Sequence, residues 1–391
     1  MHVVVAPDSF KESLAAEKVA QAIADGVRDA LPSATVVCIP MADGGEGSLD
    51  AVLAASGGER RWAKVRNANN QEVDACWGWL DDGNAFIEMA AAAGLEQIPA
   101  RQRKPLDASS YGVGQLIHHA LEAGARRIVL GLGGSACNDA GAGLLQALGV
   151  RLLDEAGQPL PPGGAALRRL ASISLDDIDP RLLCVGFELA VDVDNPLCGP
   201  TGASAIFGPQ KGASAADVAT LDQALAHFAS VCAKHFGKDE QNVPGMGAAG
   251  GLGFAIKTCF SARLRPGVEL IAELAGLVPA LEGADLVFTG EGRMDAQTLS
   301  GKTPAGVARY ASQRGIPVIA IAGSLGEGYE ALYNIGVTAA FSLAPGPIAL
   351  DQACEHAAIY LRERARDCTR LWLAARAARP DVETCIAAGQ Q

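Results

Sequence analysis

Glu291, Arg293, Asp295 and Lys302 crowd into one short stretch, with Gly290 before them and Gly292 and Gly301 between them. Two carboxylates suit a hard cation and two bases suit phosphate oxygens. The mixture fits a magnesium-bound phosphate better than it fits either ion alone. An apolar, β-rich run over 284–289 precedes it and reads as a buried parallel strand. Thr303-Pro304 follows, as N-cap and first helical residue before Val307, Ala308, Tyr310 and Ala311. The loop therefore leads from a strand's carboxyl end to a helix amino end, where free N–H groups and the dipole favour an anion.

The elements that must position these groups follow from the rest of the chain. A strand over 3–6, a helix over 14–30, a strand over 35–39 and a second helix open the sequence as βαβα, which demands a parallel sheet. Asp8, Ser9 and Lys11 follow the first of these strands, and Asp43 and Glu46 follow the second. Near Trp62 the pattern changes to a hairpin turning at Asp81-Asp82-Gly83, then a helix over 113–123, a strand over 127–130 and a β-rich part through 182–193. The βα rhythm resumes from Pro266. It gives a helix over 268–277, the strand already described, and further strands over 316–321 and 337–341. A helix over 327–334 and a long last helix from Leu350 complete it, the last with Leu361, Leu371 and Trp372 as a packed stripe. The expected fold class is α/β: a flavodoxin-like domain with a parallel sheet built from both chain ends, 1–64 and 265–378, and an inserted mixed α/β domain, 65–264. Residues 379–391 form a tail without expected order. A site is expected at the strand carboxyl ends facing the insertion.

Composition narrows the partners. A chain of 391 residues is long for one core, so two domains are the prior. The net charge of −12 argues against nucleic acid or an anionic membrane surface as partner. No apolar run approaches the roughly 18 residues that a membrane span needs. The start lacks the basic region and cleavage site of a signal peptide, which points to the cytoplasm. The ten cysteines show no CxxC pair or metal-ligand spacing and read as reduced.

Three glycine-rich stretches compete as a nucleotide site. Residues 131–136 match G-x-G-x-x-A after a strand, and Asp154 ends a later strand, which is the outline of a dinucleotide fingerprint; Asn138-Asp139 interrupts it where a helix should already run. Residues 245–250 match G-x-G-x-x-G with no strand before them. Ser300-Gly301-Lys302-Thr303 imitates the end of a P-loop, but Ala296 replaces the first glycine and Pro304 removes an N–H. Close backbone packing is the plainer reading of each.

Taken together, the loops resemble the bacterial-type glycerate kinase family. The resemblance rests on Asp8-Ser9-Phe10-Lys11, Ala42-Asp43-Gly44-Gly45-Glu46-Gly47, Leu132-Gly133-Gly134-Ser135 with Asn138-Asp139, Asp192-Val193-Asp194-Asn195-Pro196-Leu197, Phe207-Gly208-Pro209-Gln210-Lys211-Gly212, Gly247-Ala248-Ala249-Gly250-Gly251 and the 285–304 stretch. It covers nearly the whole chain in order. Two departures stand out: Glu12 where the family usually has glycine, and Cys137 and Ala140 in place of Thr and Gly beside Asn138-Asp139.

The resemblance implies ATP-dependent phosphorylation of D-glycerate, with ATP and Mg2+ as cofactors, by direct in-line transfer in the interdomain cleft. The 2-position is favoured and the protein is a monomer or homodimer. Lys302 and Arg293 are expected at the transferring phosphoryl group, and Glu291 and Asp295 at the metal. Asp192, in preference to Asp194, would accept the substrate proton with Asn195 orienting it, although Asp194-Asn195-Pro196 serves equally as a strand-capping turn. Asp8, Ser9, Lys11 and Asp43 are expected at the substrate, Ser9 and Lys11 from a helix amino end. Gly133, Gly134, Ser135, Asn138, Lys211 and Gly301 are expected at the phosphates. Two other readings remain open: an NAD-dependent dehydrogenase using 131–154, and a non-catalytic hydroxy-acid sensor.

Overall fold

The computed structural model describes residues 1–80, 83–260, 262–299 and 301–378. The hairpin turn expected at Asp81-Asp82, Ser300 and the tail from 379 lie outside the described residues. The chain divides into two compact units, one of residues 1–42 with 272 onward and one of residues 43–271.

The chain begins with β1 (His2–Val5), α1 (Ala16–Ala30) and β2 (Thr35–Cys38). In the second unit it runs through α2 (Ser48–Ser56), β3 (Glu59–Arg66), β4 (Glu72–Trp79), β5 (Asn84–Glu88), α3 (Ala90–Ala93), α4 (Tyr111–Glu122), β6 (Arg127–Gly131) and α5 (Ala142–Ala147). There follow β7 (Arg151–Leu153), β8 (Ser172–Ser174), β9 (Gly186–Ala190), α6 (Ala203–Phe207), α7 (Ala215–Phe236), α8 (Leu252–Phe260) and β10 (Ala262–Arg265). It returns through α9 (Gly267–Leu274), α10 (Leu277–Ala280), β11 (Leu286–Met294), α11 (Thr303–Ser312), β12 (Val318–Leu325), β13 (Val337–Ser342), α12 (Leu350–Glu355) and α13 (Ala357–Ala377).

In the first unit the strands form one all-parallel sheet, ordered β13-β12-β11-β1-β2. Renumbered within the sheet this is 2-1-3-4-5, the flavodoxin-like order. The strand order reverses between β1 and β11, so their outgoing loops flank the position where such sheets bind ligands. Val3, Val4 and Val5 are wholly buried, as a strand covered on both faces requires. α1 and α13 pack together, and Ile23, Val27, Leu361 and Ala365 join Val3, Phe288 and Ile321 in one core.

Four expectations change here. β11 runs on to Met294, because β12 continues beside it and pairs Glu291 with Ala322 and Arg293 with Ser324. Those two residues thus stand on a strand, two apart and on one face, rather than in a loop. The helix expected over 327–334 is a 3-10 helix, Tyr329–Ile335. The last helix is split at His356. Finally, Leu371 does not join the packed stripe, since it is exposed.

The second unit holds a six-stranded mixed sheet, ordered β10-β9-β6-β5-β4-β3, of which β10, β9, β6 and β5 are parallel and β4 and β3 antiparallel. The helix α2 lies in this unit, with Leu49 against Gly78 of β4 and its Leu49 N–H donated to Glu88 at the end of β5 (2.8 Å). The division thus falls at 42/43 and 271/272, where the sequence suggests 64/65 and 264/265.

Both family glycines that this chain replaces fall where the backbone is left-handed: Glu12 has φ +64° and Ala140 φ +50°. A Cβ in that region costs roughly 1–2 kcal/mol, against about 0.5–1 kcal/mol for the extra chain entropy of glycine. Glu12 is solvent-exposed and loses nothing else by truncation. Glu12→Gly is therefore expected to raise stability by about 0.5–1 kcal/mol, read as a higher denaturation midpoint; a lower midpoint would contradict the strain.

Candidate active site

On the first unit the decisive residues converge at the carboxyl ends of β1 and β11. The two strands stay paired up to the Asp8 N–H donated to the Gly290 carbonyl (2.8 Å). Asp8 then accepts from the Ser9 N–H (2.6 Å) and hydroxyl (3.2 Å) with one oxygen, and from the Thr303 hydroxyl (2.6 Å) with the other. Thr303 is not the N-cap of α11; that place falls to Lys302, with Thr303 and Pro304 inside the first turn. The Thr303 hydroxyl is free to tie α11 to β1 for that reason. The Lys302 ammonium lies 3.3 Å from one oxygen of Glu291, whose other oxygen accepts from the Thr298 hydroxyl (2.7 Å). Thr298 in turn accepts from the Asp295 N–H (3.1 Å), and Asp295 caps the following turn through Gln297 (2.9 Å) while facing Arg293 (3.2 Å). Asp8, Ser9, Glu291, Arg293, Asp295 and Lys302 thus belong to one linked cluster, and Gly301 precedes Lys302 with φ +94°. Thr298 was not singled out from the sequence, although Asp-x-x-Thr is a readable reciprocal cap.

Ser9 and Lys11 do not stand at a helix amino end. Phe10 bridges to Leu14, a turn occupies 11–13, and α1 begins only at Ala16. Lys11 is exposed, with its backbone against Gly292.

As a magnesium site the cluster offers two carboxylates, Glu291 and Asp295. Among the described residues no three His, Cys, Asp or Glu side chains converge on one point; magnesium that arrives chelated by phosphates needs only one or two carboxylates. Asp295 fits that role, because its partner Arg293 has a side chain 70% exposed and can swing away. Glu291, 10% exposed and engaged by Thr298 and Lys302, fits better as the anchor of Lys302.

On the second unit the loops after β6 and β9 gather with the loop at 43–47. Gly133 lies against Gly45, and Gly44 lies against Ala190 and the Asp192 carboxylate. Asp192 accepts from the Gly267 N–H at the start of α9 (2.9 Å). Asp192 is exposed as a residue, while its carboxyl packs against Gly44 and Gly267; that partial burial, with the charge of Asp43 behind it and against the Gly267 hydrogen bond, pushes its pKa up to about 7. Asp43 itself accepts from the Gly45 N–H (3.1 Å). Gly133 and Gly134 are exposed, so their backbone can approach an anion. The dipole of α2 is served by Glu88 and Asp50 rather than by Glu46, which precedes the helix and is exposed. Burial raises the pKa of Glu88 against its hydrogen bonds from the helix end.

Three residues expected at ligands are instead part of the scaffold. Lys211 is 1% exposed, and its ammonium donates to the Ser135 hydroxyl (2.8 Å) and the Cys137 carbonyl (2.7 Å). Burial lowers its pKa to about 8. Asn138 is wholly buried and donates to the Ser204 hydroxyl (2.8 Å). Asn195 donates to the Thr201 carbonyl (2.7 Å), closing its own loop. Asp139, quoted above only as part of a motif, is wholly buried and accepts from the Ser110 N–H and hydroxyl and from the Gly141 and Gly143 N–H groups. It therefore ties α4 to α5. Lys211→Met is expected to cost about 1–3 kcal/mol of stability, because the buried Cys137 carbonyl loses its donor. Urea denaturation checks this, and an unchanged midpoint would make the lysine dispensable.

The dinucleotide reading fails on topology. β7 pairs with β8, antiparallel, in a separate two-stranded sheet, so 127–154 is not a βαβ unit and Asp154 turns on itself to accept from the Ala156 and Gln158 N–H groups. In the 245–250 loop, Gly250 has φ +66° and sits so close to the Cys137 carbonyl that a Cβ would collide with it. Packing, not a ligand, accounts for that motif.

Residues 3–373 match the model of the glycerate kinase family. The chain belongs to the glycerate kinase family. It is 49% identical to a glycerate kinase of Halalkalibacterium halodurans, over 93% of this chain and 96% of the relative. It is 48% identical to a glycerate 2-kinase of Escherichia coli, over 90% and 93%. A crystal structure described as a glycerate kinase 2 from Salmonella typhimurium LT2 superposes with a TM-score of 0.88 at 44% identity, covering 96% of this chain and 99% of that one. This glycerate kinase family member is accordingly a kinase, an enzyme rather than a sensor. No helix among its described residues is long and apolar enough to cross a membrane.

Proposed function

We propose that the protein transfers the terminal phosphoryl group of ATP to a hydroxyl of D-glycerate, the 2-hydroxyl being favoured. The observation that carries this reading is the linked cluster at the ends of β1 and β11, where Lys302, Arg293, Asp295 and Asp8 meet at the amino end of α11. Phosphoryl transfer asks a protein chiefly for alignment and charge neutralisation. Lys302, held by Glu291, and Arg293 neutralise charge on the phosphoryl oxygens, and exposed Gly133 and Gly134 offer backbone N–H groups. A magnesium ion brought by the nucleotide would be held at Asp295 and would screen the phosphate charge. Asp192 takes the proton of the attacking hydroxyl, while Asp43, Ser9 and Lys11 remain the groups for the rest of the acid. The names of the relatives above support the substrate.

The test is ADP release, coupled to a dehydrogenase, with D-glycerate compared with L-glycerate, glycolate and tartronate. D-Glycerate is expected to give the highest kcat/KM, and phosphorus NMR of the product is expected to show the 2-phosphate. Preference for another of these acids would end the substrate proposal.

A further inference from the structure

The second unit carries a cavity of about 880 Å3 between the 3-10 helix Gly164–Arg169, the β7–β8 hairpin and the carboxyl half of α7. Its volume is in the range of small-molecule sites. Its floor is apolar, from Leu170, Ile173 and Val231, and its rim is basic, from Arg168, Arg169 and Lys234. Among the described residues these three cations have no ion-pair partner, in a chain of net charge −12. Asp154 and Glu155 border the same space; Asp154 is committed to its own turn, and Glu155 is exposed. His227, whose Nε2 faces the Leu170 carbonyl at 2.8 Å, and His235 complete the basic side.

Unpaired guanidinium and ammonium groups around one cavity repel each other, and an anion with two or more charges relieves that repulsion while pairing with the guanidinium forks. We propose that this cavity is a second ligand site, for a small polyanion bearing carboxylate or phosphate groups. One of its walls, the 3-10 helix, begins against the Asn138 loop. Gly164, which opens the 3-10 helix, sits where any Cβ would strike the Asn138 carbonyl and the Leu221 side chain of α7. Asn138 also leaves its buried Oδ1 without a partner. An anion that draws Arg168 and Arg169 toward Lys234 therefore braces the 3-10 helix whose first residue packs on the Asn138 carbonyl.

The test uses the full chain at fixed ionic strength, titrated calorimetrically with citrate in one arm and inorganic pyrophosphate in the other, so that carboxylate and phosphate ligands are told apart. The readout does not depend on the kinase reaction. One equivalent of at least one probe is expected to bind. The exposed pair R168S/K234S is expected to weaken it tenfold or more, and the charge-retaining R168K/K234R to keep most of the affinity. Absence of binding to both probes, or affinity unchanged in R168S/K234S, overturns the site. Hydrogen exchange over 133–143 is expected to slow on binding in the unaltered protein only; binding without that protection overturns the link to the loop.

Discussion

Lys302→Ala is expected to lower kcat by about 10²–10³, equivalent to roughly 3–4 kcal/mol of barrier, as removal of one preorganised charge donor at a developing anion does. The fold should survive. Lys302 caps α11 through its backbone, and among the described residues its side chain pairs with Glu291 at 3.3 Å with a third of its surface in water. Glu291, 10% exposed, loses its counter-charge but keeps the Thr298 hydroxyl, so the substitution is expected to cost about 1–3 kcal/mol of stability without unfolding the chain. Glu291→Gln separates the role of the anchor from that of the charge. Glutamine still accepts from Thr298 but no longer attracts the ammonium, so kcat is expected to fall less, about tenfold, with Lys302 present but less well aimed. Steady-state kinetics with a denaturation curve for each variant decide the matter. Near-normal turnover in Lys302→Ala would remove the lysine from the mechanism, and equal losses in both variants would give its catalytic weight to Glu291.

What the sequence allowed one to read of this cluster followed from local rules. β1 and β11 are short apolar runs, the βα alternation at both chain ends demands parallel pairing, and the polar residues after each strand must gather at one end of the sheet. That reasoning places Asp8, Asp295 and Lys302 at one end of the sheet, where they lie. Local rules failed where a neighbouring element decided the outcome. Gly290 and Gly292 suggested a loop, but the length of β12 kept β11 extended to Met294. Thr303 had the chemistry of a cap, yet Asp8, distant in sequence, took its hydroxyl. Lys211 and Asn138 stood in polar glycine-bearing loops and suggested ligands; only the packing of the inserted unit, which buries both, reveals them as supports. A lysine in a loop reads as solvated unless three-dimensional neighbours are known, and no sequence spacing gives those neighbours.

The pH dependence of the reaction should carry the signature of Asp192. A base whose pKa is raised to about 7 is half protonated near neutrality and accepts a proton only when ionised. The logarithm of kcat/KM is therefore expected to climb with pH below about 7 and level off above it. Asp192→Asn should abolish that rise and lower kcat by about 10²–10⁴. Asparagine can still accept the Gly267 N–H through its Oδ1, so the start of α9 stays capped. Stability should move in the opposite sense. The folded carboxyl holds a proton that the unfolded one, with an ordinary value of 3.8, has released, so the folded state binds more protons between 3.8 and about 7 and stability falls as pH rises through that window. The asparagine variant lacks this fall and should be the more stable protein at pH 8 while being far less active. A variant that loses activity and stability together would instead make Asp192 a helix cap, and the proton would then have to leave by way of Asp43 or Asp194.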